Sequence, residues 1–158
     1  MMSEQFDRAI SDLLDAEGGY TVDRGGATRY GVTQAVAWRY GYKGDMRDLS
    51  IEKAKEIYAK EYWNDFYDKL PYSVAYQLFD AAVNSGPTQS TKWLQKAIGV
   101  QDDGVLGPIT MNAAKYFDSL KLVLLFNSAR LEFMTGLSNW PQAGKGWARR
   151  IARNLRIG

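Results

Sequence analysis

The fold is decided by the stretch Ala16-Glu17-Gly18-Gly19-Tyr20-Thr21-Val22-Asp23-Arg24-Gly25-Gly26-Ala27-Thr28-Arg29-Tyr30-Gly31-Val32-Thr33-Gln34. An amphipathic helix over residues 4–17 is predicted to lead into it, because apolar residues recur there at helical spacing and Gly18-Gly19 stops the pattern. Those apolar residues are Phe6, Ile10, Leu13 and Leu14. Short β-prone runs then flank Arg24-Gly25-Gly26, which predicts a small β-hairpin excursion near residues 18–33.

Glu17 falls at the last turn of this predicted helix, where a carboxylate meets the partially negative helix end. That field and partial burial both favour the protonated form of the side chain. A carboxyl group that stays protonated near neutral pH is what a general acid needs. The alternative is a surface carboxylate at a helix end, which is the commoner fate of a glutamate.

The hairpin is expected to fold Asp23 and Thr28 back towards Glu17 across a cleft. Each residue also has a purely structural interpretation. Asp23 caps the turn at Arg24-Gly25, and Thr28 is a strand residue whose hydroxyl supports a turn. The sequence leaves both interpretations open.

The composition is that of a folded protein with one domain, at 158 residues, 46% hydrophobic and 24% charged. Aromatic residues make up 13%, which suits a core and also a sugar-binding groove. No apolar run reaches the roughly 18 residues that a transmembrane helix needs. The first 14 residues are charged and amphipathic, so we expect neither a secretory signal nor a membrane anchor.

Histidine and cysteine are both absent from the sequence. Their absence excludes Cys and Ser-His nucleophile systems, histidine-ligated zinc sites and disulfides. We therefore expect no metal and no cofactor. If the protein is an enzyme, its proton chemistry belongs mainly to Asp and Glu.

Positive charge is concentrated at the carboxyl end, where residues 121–158 carry a net charge of +6 within a chain of net +2. The final predicted helix, from Trp140, is basic on one side and apolar on the other. It is either a contact for lipopolysaccharide or an anionic membrane, or a packed helix with a solvated arginine face. No nucleic-acid motif is present, so a nucleic-acid partner ranks last.

The remaining chain consists of predicted helices separated by turn signals, with N-caps at Thr33, Ser50, Ser73 and either Asp118 or Ser119. The segment Asp102-Asp103-Gly104 predicts a tight turn, because it lacks the spaced ligands of a calcium loop. We expect a mainly α, monomeric, compact domain. Its first lobe is residues 1–86 and its second, helical lobe is residues 87–158.

The motif residues in combination resemble a known family, the glycoside hydrolase family 108 lysozymes, which are phage-type endolysins. The resemblance rests on Glu17-Gly-Gly-Tyr, Asp23-x-Gly-Gly-Ala-Thr28-x-Tyr-Gly-Val-Thr33-Gln34 and Tyr62-Trp63. The second half resembles the predicted peptidoglycan domain that usually follows. Its motifs are Asn84-Ser-Gly-Pro, Leu94-Gln95, Asp103-Gly104-Val-Leu-Gly107-Pro-x-Thr110 and Gly146-Trp147-x-x-Arg150.

The resemblance implies a lysozyme-like α+β fold and hydrolysis of the β-1,4 bond between N-acetylmuramic acid and N-acetylglucosamine in bacterial peptidoglycan. It assigns the catalytic acid to Glu17. Asp23 and Thr28 correspond to the second and third members of a Glu…Asp…Thr triad, at tighter spacing than in other phage lysozymes. If they activate a water, a second carboxylate roughly 6.5–9.5 Å from Glu17 and inversion at the anomeric carbon are expected.

Four further residues are candidates for binding the sugar hydroxyl and N-acetyl groups: Tyr30, Gln34, Asp80 and Asn84. Asp80 lies one turn before Asn84 on the same predicted helix face, so both are expected to line one groove. Structural alternatives exist for two of them. Tyr30 packs in the core, and Asn84 caps a helix end beside Gly86.

Rival functions are a lytic transglycosylase that uses Glu17 alone, and a non-catalytic peptidoglycan-binding or virion protein of the same fold. An endolysin without a signal peptide is expected to accumulate in the host cytoplasm. It would reach the cell wall only after a separate protein has permeabilised the membrane.

Overall fold

The structure is a computed structural model that describes residues 2–14, 20–23 and 26–157. The chain forms two compact units, residues 1–63 and residues 64–158. The sequence placed the division between lobes at residue 86 instead, and that boundary stays a prediction. None of the described helices is both long and apolar enough to cross a bilayer.

The first unit combines helices with a small antiparallel sheet whose strands pair in the order β1-β2-β3. Its elements are α1 (Glu4–Leu14), β1 (Tyr20–Asp23), β2 (Gly26–Arg29), β3 (Val32–Thr33), α2 (Gln34–Arg39), a 3₁₀ turn (Met46–Asp48) and α3 (Ile51–Glu61). The predicted β excursion between helices is therefore confirmed.

Helix α1 buries its predicted apolar face. Phe6, Ile10 and Leu13 are each at most 1% exposed, and the Phe6 ring meets the Trp63 ring edge-on at 5.5 Å between centroids. The amphipathic pattern is thus confirmed for residues 4–14. Its predicted continuation to Glu17 lies outside the described residues.

Three of the predicted helix caps are confirmed. Thr33, Ser50 and Asp118 each accept a hydrogen bond from the backbone N–H three residues later, at 3.3, 3.1 and 2.8 Å. Each bond satisfies one of the amide donors that a helix leaves without an internal partner at its amino end. The cap identities were readable from sequence because the acceptor and the donor are close neighbours in the chain.

The predicted cap at Ser73 is wrong. The helix begins at Tyr72 with Pro71 at the N-cap position, two residues before the predicted cap. The Pro71 carbonyl accepts the backbone N–H groups of Val74 and Ala75, both at 3.0 Å. The chain therefore starts this helix without a side-chain cap, and Ser73 lies inside its first turn.

The second unit is helical. Its elements are a 3₁₀ turn (Asp65–Lys69), α4 (Tyr72–Ser85), α5 (Pro87–Ile98), α6 (Pro108–Tyr116), α7 (Ser119–Thr135) and α8 (Trp140–Ile157). Helix α4 packs against α5, α7 and α8. All residues from Val74 to Ala82 are buried, so α4 is enclosed on every side rather than along one apolar stripe.

An ion-pair network crosses this core. The carboxylate of Asp80 on α4 contacts Arg130 of α7 at 2.8 Å and Arg150 of α8 at 2.8 Å, and it accepts a 2.6 Å hydrogen bond from the Asn154 amide of α8. Asp80 and Arg130 have no exposed surface. Burial alone would raise the pKa of Asp80, but attraction by Arg150 and Arg130 outweighs it and holds that pKa below its usual value.

Neutral side chains extend the network along the same helices. Gln77 donates to the Asn154 backbone carbonyl at 2.8 Å and accepts from the Asn127 amide at 3.0 Å. Gln77, Asn127 and Asn154 are all buried. Buried polar groups cost free energy unless they are paired, so these bonds select one relative placement of α4, α7 and α8.

We predict that Asp80→Asn lowers the free energy of unfolding by about 3–5 kcal/mol at pH 7, because it leaves Arg130 as an uncompensated buried cation. Urea denaturation followed by circular dichroism measures this loss. The matched control is Asp102→Asn at an exposed carboxylate, for which we expect a change within about 0.5 kcal/mol.

The effect of Asp80→Asn should also depend on pH. The folded state holds the pKa of Asp80 low, so its stabilisation is present above the unfolded-state pKa of about 3.9 and is lost as pH falls through the folded-state value. The stability difference between wild type and Asp80→Asn should therefore shrink on acidification below about pH 4. A difference that did not change with pH would contradict the ionic role.

Candidate functional site

The hairpin that carries the candidate residues has a defined register. Strand β1 pairs with β2 so that Thr21 is opposite Thr28 and Asp23 is opposite Gly26. Strand β3 pairs on the other side of β2, with Thr33 opposite Thr28. Thr28 is thus in the middle strand and is half-buried.

This register brings positions 23 and 28 together. Opposite residues in an antiparallel pair share a face, and residues two apart along a strand share it too, so positions 23 and 28 belong to one face as diagonal neighbours. Diagonal neighbours of this kind are roughly 7–8 Å apart. The predicted grouping of Asp23 with Thr28 is therefore consistent with the backbone, whereas their chemical roles stay predictions.

Gln34 reaches the same part of the hairpin. It is the first residue of α2, directly after the Thr33 cap. A Cβ atom built on Gly26 would lie 4.0 Å from the Oε1 atom of Gln34. Because Gly26 is opposite Asp23, the Gln34 amide lies beside the end of the hairpin where β1 finishes.

Tyr30 has a strained backbone. Its φ of 53° is in the left-handed region, and the following Gly31 has a φ of 78°. A non-glycine residue in this region costs roughly 1–3 kcal/mol unless its surroundings hold it there. The Tyr58 hydroxyl donates a 2.7 Å hydrogen bond to the Tyr30 carbonyl, which fixes the turn between β2 and β3.

Arg29 holds the Tyr30 ring from the side. Its guanidinium carbon lies 4.6 Å from the ring centroid, and its Nη2 atom donates a 3.2 Å hydrogen bond to the Tyr30 hydroxyl. The ring is half-buried and is therefore partly open to a ligand. Strained residues of this kind occur at binding sites, and the role of Tyr30 as a site residue stays a prediction.

We predict that Tyr58→Phe destabilises the protein by about 0.5–1.5 kcal/mol, because it removes the hydrogen bond to the Tyr30 carbonyl. Chemical denaturation measures the change. Tyr62→Phe is the matched control on the same chain segment, since its hydroxyl makes no hydrogen bond within the described parts of the chain. Equal losses for the two variants would contradict the role of the Tyr58 hydroxyl.

Glu17 lies outside the described residues, so its expected position and ionisation stay predictions. The described carboxyl groups whose pKa values are shifted all shift downward, which favours the charged form. They are Asp45, Glu56, Glu61, Asp80 and Asp103. None of these five has the raised pKa of a general acid.

Glu61 is a carboxylate of the first unit that no sequence motif identifies. It accepts hydrogen bonds from the Tyr40 hydroxyl and from Arg39, the latter at 2.9 Å. The Tyr40 bond is the main reason that the pKa of Glu61 is lowered. Glu61 thus has the properties of a structural carboxylate that joins α3 to the end of α2.

Asp80 and Asn84 have different surroundings, although both belong to α4. The Asp80 carboxylate is fully buried among Arg130, Arg150 and Asn154. The expectation that it lines a sugar-binding groove is therefore corrected, because a side chain with no exposed surface cannot contact a polysaccharide. Asn84 is exposed in the last turn of α4 and stays a prediction.

The described residues contain no cluster of three or more carboxylates that could hold a metal ion. The segment Asp102-Asp103-Gly104 forms a turn, as predicted. The Asp103 carboxylate accepts the backbone N–H of Val105 at 2.9 Å, and Gly104 has a φ of 78°.

Comparison with known proteins agrees with the fold and identifies a family. The family model described as Glycosyl hydrolase 108 matches residues 10–86. A solved structure, "Structure of Brucella abortus SagA", is 36% identical, and the match covers 96% of this chain and 92% of that chain with a TM-score of 0.86. No curated protein matches this chain. The structural match confirms the predicted mainly α, lysozyme-like α+β class.

Proposed function

The chain belongs to the glycosyl hydrolase 108 family, and from this premise we propose that it is a muramidase. The family makes it a glycoside hydrolase that acts on peptidoglycan. The finer proposal is cleavage of the β-1,4 bond between N-acetylmuramic acid and N-acetylglucosamine. The match over residues 10–86 supports it, since this range contains every hairpin residue of the candidate site.

In the proposed mechanism, Glu17 protonates the oxygen of the leaving sugar. Asp23 and Thr28 hold and activate a water that attacks the anomeric carbon from the opposite side, which gives inversion. The observation that carries this proposal is the strand register, in which Asp23 and Thr28 are diagonal neighbours on one face. A carboxylate and a hydroxyl are the kinds of group that can hold and activate one water molecule.

Tyr30 and Gln34 are proposed to bind the sugar hydroxyl and N-acetyl groups. The strained turn at Tyr30, held by Tyr58 and Arg29, supports a preorganised ring beside the hairpin. The Gln34 amide near Gly26 supplies both a donor and an acceptor. Asn84, exposed on α4, is a further candidate for the same class of contact.

We predict that Glu17→Gln abolishes most hydrolysis, by at least about a hundredfold, because glutamine keeps the shape but cannot donate the proton. Turbidity clearing of outer-membrane-stripped cells measures activity, and circular dichroism checks folding. Glu4→Gln is the matched control, since Glu4 is an exposed glutamate in the first turn of α1. It should keep wild-type activity.

Each other outcome of this experiment identifies a rival. Equal clearing by wild type and Glu17→Gln would make Glu17 a structural carboxylate. Binding to the wall without clearing by either protein would indicate a non-catalytic protein. Products lighter by one water in mass spectrometry would indicate a lytic transglycosylase, and retained anomeric configuration in NMR would exclude the inverting mechanism.

An endolysin role, in which a phage uses this activity to lyse its bacterial host, is part of the proposal. It draws support from the resemblance of the second half to a peptidoglycan domain. A protein that digests walls from outside would also be antibacterial. Lysis is measured in bacteria that express this chain with and without a membrane-permeabilising protein, which tests the endolysin role. Addition of the purified protein to cells tests the antibacterial effect.

Helix α8 is the segment proposed to contact a membrane or lipopolysaccharide. Its inward face is occupied, because Gly144, Ile151 and Asn154 are buried and Arg150 contacts Asp80. Packing therefore buries part of the apolar face, whereas Leu155 on the same helix stays 41% exposed. Exposed cations, among them Lys145, Arg149 and Arg156, form an electrostatic surface on the outer side of the helix. Packing supports the structural alternative for part of the amphipathic pattern, and the membrane contact stays a proposal.

We predict that deletion of residues 148–158 unfolds the second unit, because it removes two partners of the buried Asp80 carboxylate. The triple variant Lys145→Gln, Arg149→Gln, Arg156→Gln keeps the fold and removes only exposed charge. Thermal unfolding and release of a periplasmic marker separate the two effects. Loss of permeabilisation in the folded triple variant would support a membrane role, and unchanged permeabilisation would leave only packing.

A further inference from the structure

A groove in the second unit has no role in the proposed catalysis. Its volume is about 390 Å³, within the range of small-molecule sites. Its lining residues are Gln89, Lys92, Trp93, Lys96, Asp102, Ala129, Glu132 and Phe133. We propose that this groove binds the peptide stem of peptidoglycan, a proposal that rests on peptidoglycan being the substrate.

The groove follows from the packing of two helices. Its α5 residues, 89, 92, 93 and 96, recur at helical spacing and form one face, and its α7 residues, 129, 132 and 133, form the facing stripe. The small side chain of Ala129 leaves room between the helices. Helices α5 and α7 pack against each other, so the groove is built on regular secondary structure.

Aromatic rings make a rigid floor. Trp93 is only 3% exposed, and its ring meets the Phe133 and Phe126 rings edge-on, at 5.5 and 6.4 Å. The buried Arg130 guanidinium lies 5.9 Å from the Trp93 ring centroid. Phe133 is 46% exposed and offers an apolar surface for small groups such as alanyl methyls.

The walls carry charges of both signs. Lys92 and Lys96 stand one turn apart on α5, while Glu132 on α7 and Asp102 after α5 supply carboxylates. All four are exposed. In the part of the chain that the structure describes, none of the four forms an ion pair within 4 Å.

The loop that carries Asp102 is held firmly. The amide nitrogen of buried Gln95 lies 2.9–3.0 Å from the Asp103 carboxylate, the Val105 carbonyl and the Thr110 hydroxyl, and its two hydrogens are shared among these acceptors. The amide oxygen accepts the Gly104 N–H at 2.9 Å. These bonds use the Asp103 carboxylate and leave Asp102 as the carboxylate that faces the groove.

These features match a peptide stem better than the other polymers in a cell envelope. A stem has several carboxylates, small alanyl side chains and, where it contains a diamino acid, a free amine. The lysines suit the carboxylates, Asp102 and Glu132 suit the amine, and Phe133 suits the methyl groups. A neutral glycan would not require four charges, and a nucleic acid or a lipid phosphate would be repelled by the two carboxylates.

We expect the full-length protein to bind the sugar-free tetrapeptide L-Ala-γ-D-Glu-meso-diaminopimelate-D-Ala, measured by calorimetry at low salt. The variant Lys92→Gln, Lys96→Gln should bind it roughly three- to thirtyfold more weakly, because two exposed ion pairs are lost. The matched control is Lys121→Gln, Lys145→Gln, which removes two exposed lysines of the same unit outside the groove. It should bind like wild type.

A second measurement uses catalysis. With intact sacculi as substrate, Lys92→Gln, Lys96→Gln should raise KM without lowering kcat, whereas on glycan strands stripped of peptide it should behave as wild type. A merely structural role for the lysines would change both substrates alike. Thermal unfolding confirms that the variant is folded.

The outcomes separate this inference from the muramidase proposal. Tetrapeptide binding is independent of hydrolysis, so it should persist in Glu17→Gln and would stand even if no bond were cleaved. Absence of tetrapeptide binding, or equal binding by the groove variant and its control, would overturn the inference while leaving the muramidase proposal intact. Tighter binding of a DNA oligonucleotide than of the tetrapeptide would overturn it as well.

Discussion

The buried carboxylate of Asp80 is the constraint on which the second unit depends. One negative charge on α4 is shared by two arginines, from α7 and α8, and by the Asn154 amide. Taking these charges out of water is expensive, and close contact repays that cost only in one arrangement of the helices. The network therefore acts mainly on specificity, because it rejects packings of α4, α7 and α8 that would leave Arg130 without its partner.

The candidate site residues lie on the hairpin, whereas α4 forms the core of the second unit around the Asp80 network. The family match runs over residues 10–86 and so includes both the hairpin and α4. The hairpin supplies polar groups, such as Thr28 on the half-buried strand β2, outside the packed helical core. Helix α4 contributes a fully enclosed core, and its most conspicuous carboxylate is used for packing rather than for substrate.

The same unit shows how a packed core leaves a surface free for binding. Trp93 and Arg130 are both buried, and the Arg130 guanidinium contacts the Trp93 ring at the floor of the α5–α7 groove. The ion-pair network therefore helps to position that ring. Gln95 positions the Asp102-Asp103-Gly104 turn at the edge of the groove through its hydrogen bonds to Asp103 and Gly104. The charged residues of the groove walls do not take part in the buried network. They are therefore available to bind a ligand that has both positive and negative groups.

The sequence by itself determined the features that depend on near neighbours. Helical spacing predicted the buried face of α1. Short polar side chains predicted the caps at Thr33, Ser50 and either Asp118 or Ser119, and β-prone residues around glycines predicted the hairpin. Only the tertiary structure decided the surroundings of Asp80, the support of Tyr30 by Tyr58, and the α5–α7 groove. The physical reason is that burial and pairing depend on residues far away in the chain. Arg130 and Arg150 are 50 and 70 positions from Asp80, so a pattern of neighbouring residues cannot predict these contacts.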